Sequence, residues 1–373
     1  FRFIGFRAVE TEKLVARQLL IVFLIELLDF AERENAEDGI VERIFHAAQL
    51  RQIFRLQRVA EERQWAAVYS GNQPTELYGL KQQLNAGLSA GLCGFAAWSG
   101  DMAGYEGKPN VETYIRGVEF AAFQPLMRSH GTKTRCPWDF GKEAETVYLK
   151  YYWLRENLIE MLYSAAISSN HRGLPMMKAM ALAFPEEKDY LNNGEQYLFC
   201  DTILVAPVLE EKAQTKKVCF PKGTWYELWS GNEVLGSCER EVPVSLEDCP
   251  AYLKSGIVLP VIMNEKMKWA VPFSEQNQTK VIVITPPNMD DEYRYYAEED
   301  DKYVFKCVKE DERVFTIYSL KDIFINKLLI YGNVHEIEVD GKKEEFSIVY
   351  ENQTMTALRL KSDRWNKLTI TCK

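Results

Sequence analysis

The hydrophobic pattern of this 373-residue chain changes its period near Gly173, and this change limits the folds that the chain can adopt. Before it, residues 143–172 carry apolar side chains at helical spacing, and Gly173 marks the predicted helix end. After it, short runs such as "DTILVAPVL" and "GTWYELW" are separated by Gly and Pro, which is typical of strands and turns. From about Ile262 the runs alternate more clearly, as in "KVIVITPP" and "RVFTIYSL", and their spacing of about ten residues is typical of a β-sandwich.

The part before this change has the pattern of a β/α barrel. In "NAGLSAGLCGFAAWSGD", a helix of small residues over 84–90 precedes a short apolar strand over 94–98. That strand ends in a polar tip at residues 99–101, and barrel enzymes place their active residues at the carboxyl ends of strands. The predicted fold class is therefore α/β plus all-β, a partial TIM-type β/α barrel followed by two β-sandwich domains.

The same pattern gives three predicted domains. They are a catalytic barrel over residues 1–172, a proximal β-sandwich over 173–262 and a distal β-sandwich over 263–373. A complete barrel takes about 250 residues, so we expect the chain to begin partway through the barrel. A half barrel would leave open sheet edges.

Composition narrows the classes of partner. The chain has 45 Lys and Arg against 54 Asp and Glu, a net charge of −9, and no basic stripe, which argues against nucleic acid as a partner. The most apolar run, residues 19–28, contains Glu26 and is shorter than the roughly 20 residues that a membrane span needs. We interpret it as a buried strand with its neighbouring helix and expect no membrane partner. The eight cysteines form no Cys-x-x-Cys pair or His-Cys cluster, which predicts reduced thiols, a cytoplasmic location and no metal site.

Two similar pentapeptides, "YSGNQ" and "WSGDM", raise a chemical question. Each has an aromatic residue, then Ser-Gly, then a polar residue, which is Asn72 in the first and Asp101 in the second. An amide has no useful pKa, so Asn72 cannot give up a proton as a carboxylic acid can. Asn is also a favourable turn residue after Gly71, so turn chemistry alone is an alternative explanation of its presence.

Seven stretches between residue 66 and about residue 260 carry a resemblance to a known family. "AAWSGDMAGYEGKP" is similar to a Trp-x-x-Asp-x-Gly-Gly-Phe motif, and "AAFQPLMRSHG" to a Phe-x-Pro-x-x-Arg-x-His motif. The other five are "RCPWDFG", "LRENLIEMLYS", "GLPMMKAMALAFPEE", "QYLFCDTILVAPVLE" and "FPKGTWYELWSG". In this order they resemble glycoside hydrolase family 31, the α-glucosidase and α-xylosidase family. The resemblance implies a β/α barrel followed by a proximal and a distal β-sandwich.

The resemblance also implies a catalytic pair. Retaining glycosidases use two carboxyl groups about 5–5.5 Å apart, one as nucleophile and the other as general acid and base. Asp29 in "LLDFAERE" is the implied nucleophile, with a helix-start or surface aspartate as the alternative, and Asn72 falls at the family's acid/base position. General acid catalysis contributes about 10²–10⁴-fold. We therefore expect impaired turnover of ordinary glycosides, with the first step kept for substrates that have good leaving groups.

Five further residues are implied to bind substrate: Asp101, His130, Trp98, Arg128 and Arg58. Asp101 and His130 match the family's sugar-binding Asp and His. Trp98 is expected to line the floor of the sugar pocket, or else to be a core residue, and Arg128 belongs to the Arg-x-His motif or forms a barrel ion pair. Arg58 corresponds to a substrate-binding Arg with a local spacing that differs by one or two residues.

The function predicted by the resemblance is that of a retaining, exo-acting α-glucosidase. Its partner would be an α-linked oligosaccharide or glycoside, and no metal or organic cofactor is implied because two carboxyl groups and water perform the chemistry. One alternative is a catalytically dead carbohydrate-binding relative, and another is a fragment of a larger glycosidase. The sequence leaves open the oligomeric state and the sugar, whether glucose, xylose, galactose or sulfoquinovose.

Overall fold

The computed structural model describes residues 67–190, 192–298 and 300–373, so the predicted site residues Asp29 and Arg58 lie outside the described residues. The first part consists of β1 (Ala67–Tyr69), α1 (Leu77–Leu92), β2 (Ala97–Ser99), α2 (Val111–Ala122), a 3₁₀ helix (Pro137–Phe140), α3 (Lys142–Asn157) and α4 (Ile159–Arg172). β1 and β2 pair in parallel and α1 connects them, which is the βαβ unit of a barrel.

Close packing of α1 on β2 explains the small residues that the helix carries. A Cβ atom on Gly87 would lie 2.9 Å from the ring of Trp98, so this position leaves no room for a side chain. The helix is longer than the predicted range of 84–90, and β2 begins three residues later than the predicted strand at 94–98. The order of helix, strand and polar tip is as predicted.

The helix predicted over residues 143–172 is two helices. α3 ends at Asn157 and α4 begins at Ile159, with Leu158 between them. The side chain of Asn157 is fully buried, and its Nδ2 donates to the carbonyl oxygen of Ile262 at 2.8 Å. Its Oδ1 accepts a hydrogen bond from the amide of Ala270, also at 2.8 Å. The predicted end at Gly173 is confirmed, because this residue has a left-handed φ of 65°.

The middle part is mainly sheet. Its elements are β3 (Met177–Ala179), α5 (Met180–Ala183), a 3₁₀ helix (Lys188–Tyr190), β4 (Tyr197–Phe199), β5 (Ile203–Val205), β6 (Thr215–Phe220), β7 (Thr224–Glu227), β8 (Glu233–Leu235), β9 (Cys238–Pro243) and β10 (Ala251–Lys254). Six strands form a sheet in the order β3-β4-β5-β10-β7-β8, and β6 pairs with β9. Phe220, Trp225 and Tyr252 are buried in the core that these strands share.

The last part is a two-layer sandwich. Its strands are β11 (Val258–Asn264), β12 (Gln278–Ile284), β13 (Asp291–Glu298), β14 (Asp301–Lys309), β15 (Val314–Ile323), β16 (Lys327–Ile330), β17 (Val334–Val339), β18 (Lys342–Lys343), β19 (Phe346–Glu351), β20 (Thr356–Leu360) and β21 (Trp365–Cys372). One sheet has the order β11-β12-β16-β20-β19 and the other β13-β14-β15-β21-β17-β18. Ile282 of the first sheet and Phe305 and Trp365 of the second belong to one core.

The predicted fold class is confirmed as a partial barrel region followed by mainly β-sheet domains. The boundaries 1–172, 173–262 and 263–373 stay a prediction. None of the helices in the described residues is long and apolar enough to cross a membrane. All eight cysteines lie in the described part of the chain, and no disulfide joins any of them there.

Candidate functional site

The two similar pentapeptides follow neighbouring parallel strands. Tyr69 is the last residue of β1, and its register partner is Ser99, the last residue of β2. The amide of Ser70 donates to the carbonyl oxygen of Ser99 at 3.1 Å, so the two strand ends continue side by side. Asn72 and Asp101 therefore extend from the same edge of the sheet, the edge where barrels carry active residues.

Asp101 is fully buried and is held on both carboxylate oxygens. Its Oδ1 lies 2.8 Å from a guanidinium nitrogen of Arg128, and the hydroxyl of Tyr69 donates to its Oδ2. Gln83 of α1 donates to the Asp101 carbonyl oxygen at 2.9 Å. Because these contacts come from three different segments, the orientation of the carboxylate is determined by tertiary structure.

Burial is the largest influence on the pKa values of Asp101 and Tyr69. It raises the pKa of the Asp101 carboxyl above its ordinary value, and Arg128 and the Tyr69 hydrogen bond oppose this effect. Burial also raises the pKa of the Tyr69 phenol, and its hydrogen bond to Asp101 raises the pKa further. Tyr69 therefore keeps its proton at neutral pH and acts as the donor in this contact.

Tyr69 joins the predicted residues into one group. Its hydroxyl lies 3.0 Å from the side-chain oxygen of Asn72, and the guanidinium of Arg128 stacks over its ring at 4.3 Å from the ring centre. Asn72 is exposed, Tyr69 is half-buried and the Arg128 side chain is 13% exposed, so the group is open to solvent on the Asn72 side. The ion pair that the sequence left as an alternative for Arg128 is present, with Asp101 as partner.

His130 lies two residues beyond Arg128, on a segment tied to the Asp101 loop. The amide of Met102 donates to the carbonyl oxygen of Arg128 at 2.9 Å, and the amide of Thr132 donates to the carbonyl oxygen of Tyr105 at 2.9 Å. The half-buried imidazole of His130 contacts the ring of Tyr105, with 5.2 Å between ring centres. These contacts keep the Arg-x-His segment beside the strand end that carries Asp101.

Trp98 occupies a different kind of position. It is 3% exposed and packs between Gly87 of α1 and Phe120 of α2, with 6.2 Å between the two ring centres. This environment favours the core alternative over the floor of a sugar pocket.

Arg135 is a residue that the sequence analysis missed. It is buried, and its guanidinium donates to the carbonyl oxygens of Gly104 at 2.7 Å and of Gly107 at 3.1 Å. These carbonyls belong to the loop that follows Asp101, so Arg135 fixes that loop. Desolvation lowers the pKa of this guanidinium, and Asp101 opposes the effect. A single Arg in an irregular loop has no periodic signal, and the Gly104 and Gly107 carbonyl oxygens that it binds lie about 30 residues away, which explains why the sequence did not reveal it.

The structure thus brings Asn72, Asp101 and Arg128 together around Tyr69, with His130 on the adjoining segment. No group of three or more His, Cys, Asp or Glu side chains in the part from residue 67 onward that the structure describes is arranged to hold a metal ion. The roles assigned to these residues stay predictions.

Comparison with family profiles identifies two regions. Residues 48–165 match the glycosyl hydrolases family 31 TIM-barrel domain, and residues 173–259 match the glycosyl hydrolase family 31 C-terminal domain. Together they cover more than half of the chain. The resemblance seen in the seven sequence stretches is confirmed.

Curated relatives agree with these profiles. An isomaltosyltransferase of Sporosarcina globispora is 33% identical over 52% of this chain and 19% of its own length. An alpha-xylosidase of Saccharolobus solfataricus is 32% identical over 54% of this chain and 29% of its own length. The chain thus spans less than a third of the length of these relatives.

Solved structures share the fold. The cycloalternan-forming enzyme from Listeria monocytogenes matches 82% of this chain and 32% of its own with a TM-score of 0.73 and 22% identity. A family 31 dextranase from Flavobacterium johnsoniae, complexed with glucose, matches 81% of this chain and 44% of its own with a TM-score of 0.67 and 22% identity.

Proposed function

This chain belongs to glycoside hydrolase family 31, and we propose that it is a retaining, exo-acting α-glucosidase whose proton-transfer step is impaired because Asn72 stands at the acid/base position. The observation that carries the proposal is the group at the ends of β1 and β2. It combines a buried carboxylate and an exposed amide, both within hydrogen-bonding reach of one phenol, with a guanidinium that stacks on the phenol ring and pairs with the carboxylate.

Each member of this group has a proposed task. The carboxylate of Asp101 accepts a hydrogen bond from a sugar hydroxyl, and His130 donates to another, since charged and ring-nitrogen groups bind hydroxyls strongly. Arg128 holds Asp101 in place through the 2.8 Å ion pair. The exposed side of the group, at Asn72, is the side from which the sugar enters.

The chemistry is a double displacement with two carboxyl groups. The proposed nucleophile is Asp29, which attacks the anomeric carbon while the glycosidic bond breaks, and water then releases the sugar with its α configuration kept. An ordinary alkoxide leaving group needs a proton as it departs, and an amide at position 72 cannot supply one. Fluoride leaves without a proton, so the first step does not depend on position 72 for a glucosyl fluoride.

The proposed substrate class is an α-linked oligosaccharide or glycoside. Support comes from the names of the relatives, which include an alpha-xylosidase and the alpha-glucosidase 2 of Bacillus thermoamyloliquefaciens. These names differ in the sugar, so glucose is the first sugar to test and xylose the second.

The test compares turnover of α-glucosyl fluoride and of maltose by the 373-residue chain and by its Asn72→Asp variant. We expect both proteins to release fluoride, and the variant to gain activity on maltose by about 10²–10⁴-fold. Asn85→Asp is the matched control, because it makes the same chemical change at an exposed position of α1. Proton NMR should show α-glucose as the first product, and β-glucose as first product would contradict retention.

A second candidate function is a carbohydrate-binding protein without turnover. The observation that favours it is Asn72 itself, because the group keeps its sugar-binding side chains while lacking the acid. If neither protein releases fluoride but calorimetry detects glucose or xylose binding that Asp101→Asn abolishes, this candidate replaces the first. The third candidate, one piece of a larger glycosidase, is tested by the intact mass and size-exclusion profile of native material.

A further inference from the structure

The hydroxyl of Tyr69 faces two acceptor positions at once. It donates to Oδ2 of Asp101, and it lies 3.0 Å from the atom assigned as Oδ1 of Asn72. A phenol has one proton, so it can donate fully to only one of them. The other contact needs a proton from the opposite partner, because two oxygen atoms at this distance with no hydrogen between them repel each other.

The proton belongs to the Asp101 contact. A carboxylate is a stronger acceptor than an amide oxygen, and hydrogen bonds with a charged partner are roughly twice as strong as neutral ones. The phenol oxygen then faces Asn72 with its lone pairs. The oxygen and nitrogen of an Asn side chain are interchangeable by a half turn of the amide, and the hydrogen-bond network decides between the two orientations.

We infer that Tyr69 is a positioning residue that requires a hydrogen-bond donor at position 72, and that Asn72 meets this requirement with an Nδ2 hydrogen. The resulting chain of hydrogen bonds runs from the Asn72 amide to the Tyr69 oxygen and from the Tyr69 proton to Asp101. The amide oxygen of Asn72 then points away from the phenol, towards solvent. Turn chemistry alone would place no such demand on the side chain.

The inference predicts the protonation state that a carboxylic acid at position 72 would prefer. A carboxyl group at position 72 can satisfy the phenol oxygen only while it keeps its own proton. The charged and titratable groups around this contact are Asp101, Arg128 and Tyr105, which act on the Tyr69 phenol, and Arg135, which acts on Asp101. Position 72 is thus built to hold a protonated acid, which a general acid in glycoside hydrolysis must be. The inference depends on the proposed function only for the identity of position 72 as the acid/base site.

The decisive measurement is the titration of the carboxyl group that Asn72→Asp introduces, followed by NMR of carboxyl-labelled aspartate. We expect its pKa to lie about one unit or more above the ordinary value of about 3.9. In the double variant Asn72→Asp/Tyr69→Phe the pKa should fall towards the ordinary value of about 3.9. The Phe ring keeps the stacking surface for Arg128 and removes only the hydroxyl. Asn85→Asp is the control, and its new carboxyl group should titrate normally in both backgrounds.

The native chain provides a second test that needs no new carboxyl group. One Nδ2 hydrogen of Asn72 should exchange with solvent more slowly in the parent protein than in Tyr69→Phe. Equal exchange rates in the two proteins would overturn the inference. An ordinary carboxyl pKa at position 72 in Asn72→Asp would also overturn it. The same holds if that pKa is raised equally in Asn72→Asp and in Asn72→Asp/Tyr69→Phe. Neither measurement uses a substrate, so a failure of the fluoride assay and a failure of this inference are separate results.

Discussion

Two arginine–carboxylate pairs in the first part of the molecule have nearly the same geometry and different surroundings. Asp101 and Arg128 approach to 2.8 Å, and Glu119 and Arg116 to 2.9 Å, with both carboxylates buried. The Arg128 side chain is 13% exposed and stacks on the half-buried Tyr69, whereas both members of the second pair are 1% exposed. We call Asp101–Arg128 the open pair and Glu119–Arg116 the closed pair. An open pair can exchange a contact with a ligand, whereas a closed pair can contribute only to stability.

The closed pair lies where α2 meets the middle part of the chain. Arg116 donates to the carbonyl oxygen of Asp248 at 3.0 Å, and the nearby hydroxyl of Tyr151 accepts from the amide of Cys249 at 2.9 Å. These contacts connect α2 and α3 with the loop before β10. The comparison therefore separates a contact that holds two parts of the molecule together from one that faces a candidate sugar site.

The largest expected effect is on stability, from Glu119→Met. The substitution keeps the buried volume similar but leaves the Arg116 guanidinium, which remains charged, without the Glu119 oxygen that accepts its hydrogen bond. Removing one partner of a buried pair costs about 3–5 kcal/mol in free energy of unfolding. Urea unfolding should show this loss, and Asp101→Asn should cost less than half as much because Arg128 reaches water. An equal loss in the two variants would remove the distinction between the pairs.

Sugar affinity should rank the same two carboxylates in the opposite order. Asp101→Asn removes a charged acceptor from the proposed sugar site, and hydrogen bonds to charged groups contribute about 1.5–3 kcal/mol, or roughly 10–150-fold in affinity. Glu119→Gln should leave the affinity unchanged. Calorimetry with glucose and with xylose measures both. If Glu119→Gln weakens binding as much as Asp101→Asn does, the closed pair is not merely structural.

The contacts of this part of the molecule also differ in whether they could be predicted from the sequence. Asp101, Arg128 and the polar tip after β2 could be predicted because the strand-end motif and the family resemblance lie within short stretches of the chain. Arg135 could not, because the loop carbonyl oxygens that it fixes, those of Gly104 and Gly107, lie about 30 residues away. The break at Leu158 was also missed, since it involves no Gly or Pro and coincides with contacts of the Asn157 side chain to residues more than 100 positions later.

The pH dependence of stability should come mainly from the closed pair. Burial raises the pKa of Glu119 above its ordinary value, and Arg116 only partly opposes this. Because the folded state then holds a proton that the unfolded state has released, the free energy of unfolding should fall as the pH rises from about 4.3 through the raised pKa. A pKa that differs by one between the folded and the unfolded state corresponds to about 1.4 kcal/mol. Denaturant titrations at several pH values should show that the free energy of unfolding depends less steeply on pH in Glu119→Gln than in the parent chain. An unchanged slope would mean that another group is responsible.

The smallest expected effect comes from an ion pair that is open on every side. Lys361 and Glu345 approach to 2.8 Å, but their side chains are 73% and 81% exposed. Pairing raises the pKa of Lys361 and lowers that of Glu345, yet water and salt screen both charges. Lys361→Ala should therefore leave the Tm unchanged within the error of calorimetry, at low and at high salt. A Tm loss approaching that of Glu119→Met would show that ion-pair distance rather than burial determines stability in this chain. The difference between the Glu119–Arg116 and Asp101–Arg128 pairs would then need another cause.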